Sequence, residues 1–175
     1  DKAEINVWEL IHLANKHPRV NILQPGTGVG GHCIAVDPWF IVSEFKKEAV
    51  IIRNAREINN YKTEWVIEKI RSTALQFELD NNKKPTIALM GLAFKPDIDD
   101  LRESPAVLVA DTLLLDNKYN LLLVEPNLEK NLKYDLTDYR EMNGRADIVA
   151  YLVAHKEFKG LEFECAILDF CGVKK

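Results

Sequence analysis

Asn81-Asn82-Lys83-Lys84-Pro85-Thr86-Ile87-Ala88-Leu89-Met90-Gly91 separates two kinds of sequence in this 175-residue chain. Its first five positions are polar or helix-breaking and read as a linker. The run from Thr86 to Met90 follows at once, does not alternate, and closes on a glycine, the pattern of a strand buried on both faces. A domain boundary belongs here, with residues 1–80 on one side and 81–175 on the other.

Downstream, Ser104-Pro105 predicts a helix to about Leu115, the serine capping and the proline in the first turn. Leu121 to Val124, Ile148 to Val153 and Ala166 to Leu168 read as further buried strands, with a helix expected between Tyr134 and Asn143. Strands that alternate with helices imply a parallel sheet with right-handed crossovers. The fold class is α/β, a helical segment followed by a parallel sheet.

Upstream the period is helical. Ile5, Trp8, Ile11 and Ala14 share one face, and His17-Pro18 closes that helix because proline disfavours the α region before it. The chain opens on Asp1 inside this pattern, so it reads as a piece of a longer protein. Arg19 to Gln24 is extended. From Trp39 to about Leu79 the sequence is helix-like, with Asn59-Asn60 expected to divide or kink it. Apolar residues such as Ile41, Phe45, Val50, Val66 and Ile70 fall on more than one face, which suits a homodimer interface through residues 39–79 as well as a core.

The bulk numbers exclude several classes of function. The chain is 47% hydrophobic and 29% charged, with a net charge of −4 and no basic face, which argues against nucleic acid. No apolar run approaches the roughly 18 residues of a membrane span, and no leader pattern is visible. Cys33, Cys165 and Cys171 are few and far apart, as expected in a reducing cytoplasm. The four histidines are scattered, so no metal site is expected.

Two stretches carry chemistry. The first is Pro25-Gly26-Thr27-Gly28-Val29-Gly30-Gly31-His32-Cys33-Ile34-Ala35-Val36-Asp37-Pro38, which holds four of the eight glycines. Glycine at that density permits positive φ and close approach. Cys33 reads as a covalent nucleophile, with His32 and a following helix start as groups that favour the reactive thiolate. The bland alternative is a buried structural thiol. Asp37 activates a water near that thiol, or it caps the helix that Pro38 begins.

The second stretch is Met90-Gly91-Leu92-Ala93-Phe94-Lys95-Pro96-Asp97-Ile98-Asp99-Asp100-Leu101-Arg102-Glu103-Ser104-Pro105. It leaves the C-terminal end of a strand, where ligands bind in open α/β sheets. Lys95 and Arg102 supply cations suited to phosphate. The alternative is a solvated loop whose Asp99, Asp100 and Arg102 pair among themselves. One glycine, Gly91, does not make a dinucleotide fingerprint. Glu125, at the end of the next strand, stands where such folds carry a ribose-binding acid.

Together, Gly28-Val29-Gly30-Gly31-His32-Cys33 through Asp37 and Gly91-Leu92-Ala93-Phe94-Lys95 through Arg102-Glu103-Ser104-Pro105 resemble the two signatures of the UDP-glucose/GDP-mannose dehydrogenase family. The resemblance covers nearly the whole chain and implies a Rossmann-like UDP-binding domain after the end of a central helical domain, with the family's N-terminal NAD-binding half absent. Val36 stands where UDP-glucose dehydrogenases usually carry lysine. The run from His17 to Gly26 most resembles the members acting on UDP-N-acetylmannosamine. That implies oxidation of the sugar's C6 to a uronate by two hydride transfers to NAD. It further implies Cys33 as nucleophile, Asp37 assisting water, His17, Arg19, Gly30, Phe94 and Lys95 at the UDP-sugar substrate, and Arg102 at the cofactor. Arg19 looks like the family arginine that reaches across the dimer. Cys171 stands where the family often has a basic residue.

Overall fold

The computed structural model describes residues 2–128 and 133–174. Strands β1 (Thr86–Met90), β2 (Asn120–Val124), β3 (Ile148–Tyr151) and β4 (Ala166–Asp169) form one parallel sheet in the order β2-β1-β3-β4. Leu89 pairs with Leu123 on one side and Ala150 on the other. Among the described residues the α-helices are α1 (Val7–Ala14), α2 (Asp37–Glu44), α3 (Val50–Asn81) and α4 (Pro105–Asp116).

The period of two in a strand sorts β1 onto two cores. Ile87 and Leu89 pack with Val66, Ile67, Ile70 and Ala74 of α3 and with Val109, Ala110 and Leu113 of α4. Ala88 and Met90 face Val124, Met142, Val149, Tyr151 and Phe158 on the other side. All four of these β1 residues are fully buried, as the unbroken apolar run requires. The second half of α3 is thus part of the sheet's own core. Its first half leaves Val50, Ile51, Ile58 and Tyr61 exposed on this chain.

Several local expectations need correction. Asn6 caps α1 through the Trp8 and Glu9 amides, so that helix starts at Val7 and not at the chain's first residues. The long helical stretch breaks at residues 45–49, between α2 and α3, and runs straight through Asn59-Asn60. There Arg56 donates to both asparagine side chains, and Asn59 accepts the distant Val29 N–H, so neither competes with the helix backbone. Between Tyr134 and Asn143 only a 3-10 turn at Tyr139–Glu141 forms. The chain before it lies beside β2: Thr137 donates its N–H to the Leu123 carbonyl, and Leu136 bridges Leu123. β4 is an edge strand, with Ala166 and Ile167 exposed, and so is not buried as its composition suggests. Among the described residues, no helix is long and apolar enough to cross a membrane.

Candidate active site

The glycine loop lies on the loop that leaves β1, and at Gly28, Gly30 and Gly31 the fit leaves no room for side chains. A Cβ on Gly30 would stand 2.4 Å from the Glu103 carbonyl oxygen and 2.9 Å from the Phe94 Cβ. Gly31 has φ +90°, and its Cβ would press on the Phe94 ring. Its N–H donates to the Arg102 carbonyl at 3.1 Å. Farther back, buried Thr27 donates its hydroxyl to the Leu152 carbonyl at 2.7 Å, and Thr63 of α3 donates to the Thr27 carbonyl at 3.1 Å. The two stretches singled out by their chemistry are therefore one continuous surface.

Cys33 is exposed on that surface, which removes the reading of a buried structural thiol. Its carbonyl accepts the N–H groups of Val36 and Asp37, which forms the turn into α2. Asp37 is the first residue of α2, Val36 holds the cap position, and no side chain closes the cap. The capping role expected of Asp37 is thus not made, and its exposed carboxylate is left for other work. Arg102 stands within electrostatic reach of Cys33, and its guanidinium is held above its ordinary range mainly by the hydrogen bond to Asp100. The same bond, with the Arg102 N–H, lowers the Asp100 carboxyl to about 2. The self-paired loop is real for Arg102 and Asp100, at 2.6 Å.

Beside this rim lies a cavity of about 530 Å³ lined by Gly28, Lys62, Phe94, Lys95, Val153 and Cys171 among others. Lys95 is exposed there, 5.7 Å from the Phe94 ring centroid. Lys62 of α3 sits 3.5 Å over the Trp65 ring, and burial, helped by Lys69, lowers its amine to about 8. Nothing in the sequence marks Lys62 among the other lysines, since its place beside the glycine loop follows from the fold. His17 and Arg19 lie elsewhere, exposed on the turn after α1, with the Arg19 N–H on His17 Nδ1 at 3.3 Å. They do not line this cavity.

Beneath the loop is a polar cluster the sequence did not reveal. Glu125 is buried and accepts the N–H groups of Leu92 at 2.7 Å and Ala93 at 2.9 Å. It also takes the ring N–H of buried His155 at 3.1 Å. Burial pushes this carboxyl up, but those hydrogen bonds outweigh it and hold Glu125 below its ordinary value. A ribose-binding role for Glu125 is thereby displaced by a structural one. Asp97, His155 and Glu157 bring potential metal ligands within 4.8 Å of one another. Both ring nitrogens of His155 are already engaged, however, Nδ1 by the Asp97 N–H and the Asn127 amide and Nε2 by Glu125.

Residues 1–61 match the central domain, and residues 88–168 the UDP binding domain, of the UDP-glucose/GDP-mannose dehydrogenase family. The chain belongs to that family. It is 51% identical, over 98% of its length and 42% of the relative's, to a UDP-N-acetyl-D-mannosamine dehydrogenase of Campylobacter jejuni. An NDP-N-acetyl-D-galactosaminuronic acid dehydrogenase of Ralstonia solanacearum is 48% identical, over 93% of this chain and 38% of the relative. The structure of the UDP-D-ManNAc dehydrogenase of Pyrococcus horikoshii superposes with a TM-score of 0.79 at 31% identity, covering 99% of this chain and 42% of that one. The chain thus spans about two fifths of the length of the relatives it matches. In family terms, Cys33 belongs to the central domain, and Phe94, Lys95 and Arg102 belong to the Rossmann-like UDP-binding domain.

Proposed function

We propose that this chain is the part of a cytoplasmic, NAD-dependent dehydrogenase that holds UDP-N-acetylmannosamine and supplies the nucleophile oxidising its C6 to the uronate. The observation that carries the reading is the seating of Gly30 and Gly31 on Phe94 and Glu103, which sets the loop bearing an exposed thiol against the loop that lines a cation-bearing cavity. Residues 1–80 act as the end of the central helical domain and 81–175 as the UDP-sugar-binding domain. Two copies associate through the helices of residues 39–79, where Phe40, Ile41 and Ile51 stand exposed.

Lys95 neutralises the diphosphate as a point charge, and Phe94 packs against the nucleotide. Gly30 serves the substrate by seating the loop against Phe94, and His17 and Arg19 meet the sugar nucleotide held by the partner subunit. NAD, when bound, would take up one hydride in each of the two oxidations, a fresh cofactor for each, and the residue of this chain suited to hold its phosphate is the exposed guanidinium of Arg102. Once the C6 alcohol has become an aldehyde, Cys33 Sγ attacks the carbonyl carbon and forms a C–S bond. The resulting thiohemiacetal loses its hydride and its hydroxyl proton to give a thioester. Water, its proton taken by Asp37, then adds to the thioester; the C–S bond breaks, and the acid and the free thiolate are released.

A second reading rests on the Ralstonia relative, whose name points to an N-acetylgalactosamine-derived acid. The deciding experiment assays the complete enzyme with UDP-N-acetylmannosamine, UDP-N-acetylglucosamine, UDP-N-acetylgalactosamine and UDP-glucose, counting NADH and uronate. The expected result is two NADH per acid, with the mannosamine sugar preferred. Turnover of none of the four would sink the reading. Residues 1–175 alone are expected to bind the UDP sugar weakly and to form no NADH.

A further inference from the structure

We infer that Glu125 and His155 are a positioning pair for the loop that carries Phe94 and Lys95, setting affinity for the UDP sugar without touching it. The inference rests on the reading of that loop as substrate-binding. Past Met90 the loop leaves the ladder, and its amides need new partners if they are to stay buried without cost. Glu125 supplies them at one end, where a single carboxylate oxygen accepts Leu92 N–H at 2.7 Å and Ala93 N–H at 2.9 Å. His155 supplies one at the other end, where Nδ1 accepts Asp97 N–H at 3.0 Å. The imidazole then returns its Nε2–H to the same Glu125 oxygen at 3.1 Å, which fixes the tautomer and ties the two grips together.

Phe94, Lys95 and Pro96 lie between these two points, with the Phe94 N–H donated to the Asp100 carbonyl at 3.0 Å. Asp97 adopts φ +62°, a conformation most residues avoid, and its carboxylate is fixed by the Lys156 N–H at 2.9 Å. The second carboxylate oxygen of Glu125 accepts Asn127 N–H at 3.1 Å, so neither oxygen is idle. Lys95 itself makes no hydrogen bond among the described residues, so its ammonium is aimed by the backbone beneath it. Neither Glu125 nor His155 lines the cavity, and both are buried. Their effect on substrate therefore passes through the loop. A buried charged pair offers little net stability by itself, so its value lies in the loop amides it satisfies. What the cluster provides is three directed contacts to one substrate-facing segment.

The test uses the complete enzyme and three variants. His155→Leu keeps bulk and loses the ring's contacts to Asp97, Asn127 and Glu125. His155→Gln retains one acceptor and one donor. Glu125→Gln turns an acceptor for the Leu92, Ala93, Asn127 and His155 donors into a group that can satisfy only some of them. For each, the Michaelis constants for UDP-N-acetylmannosamine and NAD, kcat, the thermal midpoint and the calorimetric affinity for UDP are measured. His155→Leu and Glu125→Gln should raise the sugar KM and weaken UDP binding about tenfold, with the NAD KM within about twofold, and His155→Gln should recover most of the loss. If His155→Leu does not fold, the ratio of the two Michaelis constants in the glutamine variants decides. Sugar and NAD constants that move together, or not at all, overturn the positioning role. A wild-type enzyme that binds no UDP overturns the reading of the site, and the inference with it. Normal wild-type binding with unselective variants overturns the inference alone.

Discussion

The Gly28–Cys33 loop and the Leu92–Asp97 loop lie against one another and are fixed by different forces. In the first, missing side chains set the fit, since Gly30 and Gly31 leave just enough space for Glu103 and Phe94, and the Val29 and Gly31 N–H groups add one hydrogen bond each. In the second, position is set by hydrogen bonds that converge on Glu125 and His155. A steric seat is indifferent to charge and intolerant of one added carbon. A polar grip tolerates small changes of volume and fails when a donor meets a donor. The pairing of the two explains how an exposed thiol can be held in place with few hydrogen bonds of its own.

The contrast can be broken at four points. The largest effect belongs to Cys33→Ser in the complete enzyme, which removes the chemistry and keeps the shape. Uronate formation should fall by roughly 10³-fold or more while UDP affinity holds, and unchanged acid production would end the nucleophile assignment. Next is Gly30→Ala. Its new carbon meets backbone at 2.4 Å, and overpacking of this kind costs about 1–3 kcal/mol, read as a shift in the urea midpoint at constant m.

Lys62 sharpens the comparison, because it lines the cavity between the loops. Its folded pKa of about 8 lies below the ordinary 10.5, chiefly through burial. Between those values the unfolded chain binds more protons at this site, so its contribution to stability rises with pH from about 8 to 10.5. Below that window the buried charge is a standing cost. The stability advantage expected of Lys62→Met should therefore shrink as pH rises through the window, and an NMR titration should place the amine's midpoint near 8. An ordinary lysine midpoint would refute the burial argument. The smallest effect is Gly26→Ala, where nothing lies within 4 Å of the added carbon. Its stability should change by no more than about 0.5 kcal/mol, which makes it the control for Gly30.

What was legible in the sequence follows the same division. Both chemical loops could be found because glycine density, Cys33, Lys95 and Arg102 are local signals. The sheet was legible because β1 is apolar without a break from Ile87 to Met90, and Ser104-Pro105 does cap α4. The rest depended on distant partners. Asn59 looked like a helix breaker until Val29 and Arg56 took up its side chain. Tyr134 to Asn143 looked helical, but Leu123 draws that segment along β2. Glu125 and His155 stand thirty residues apart and carry no common motif, so their meeting could come only from the fold.

One uninterrupted rod, α3, runs for 32 residues, about 48 Å at 1.5 Å per residue. Its lower turns are locked into the sheet's core, so it behaves as a lever rooted in that sheet. Any swing of the upper helices has to be absorbed at residues 45–49 or along 19–24, where the chain is neither helix nor strand. A tilt of the sheet on closing around a ligand would accordingly be felt at the far tip of the rod, magnified by its length.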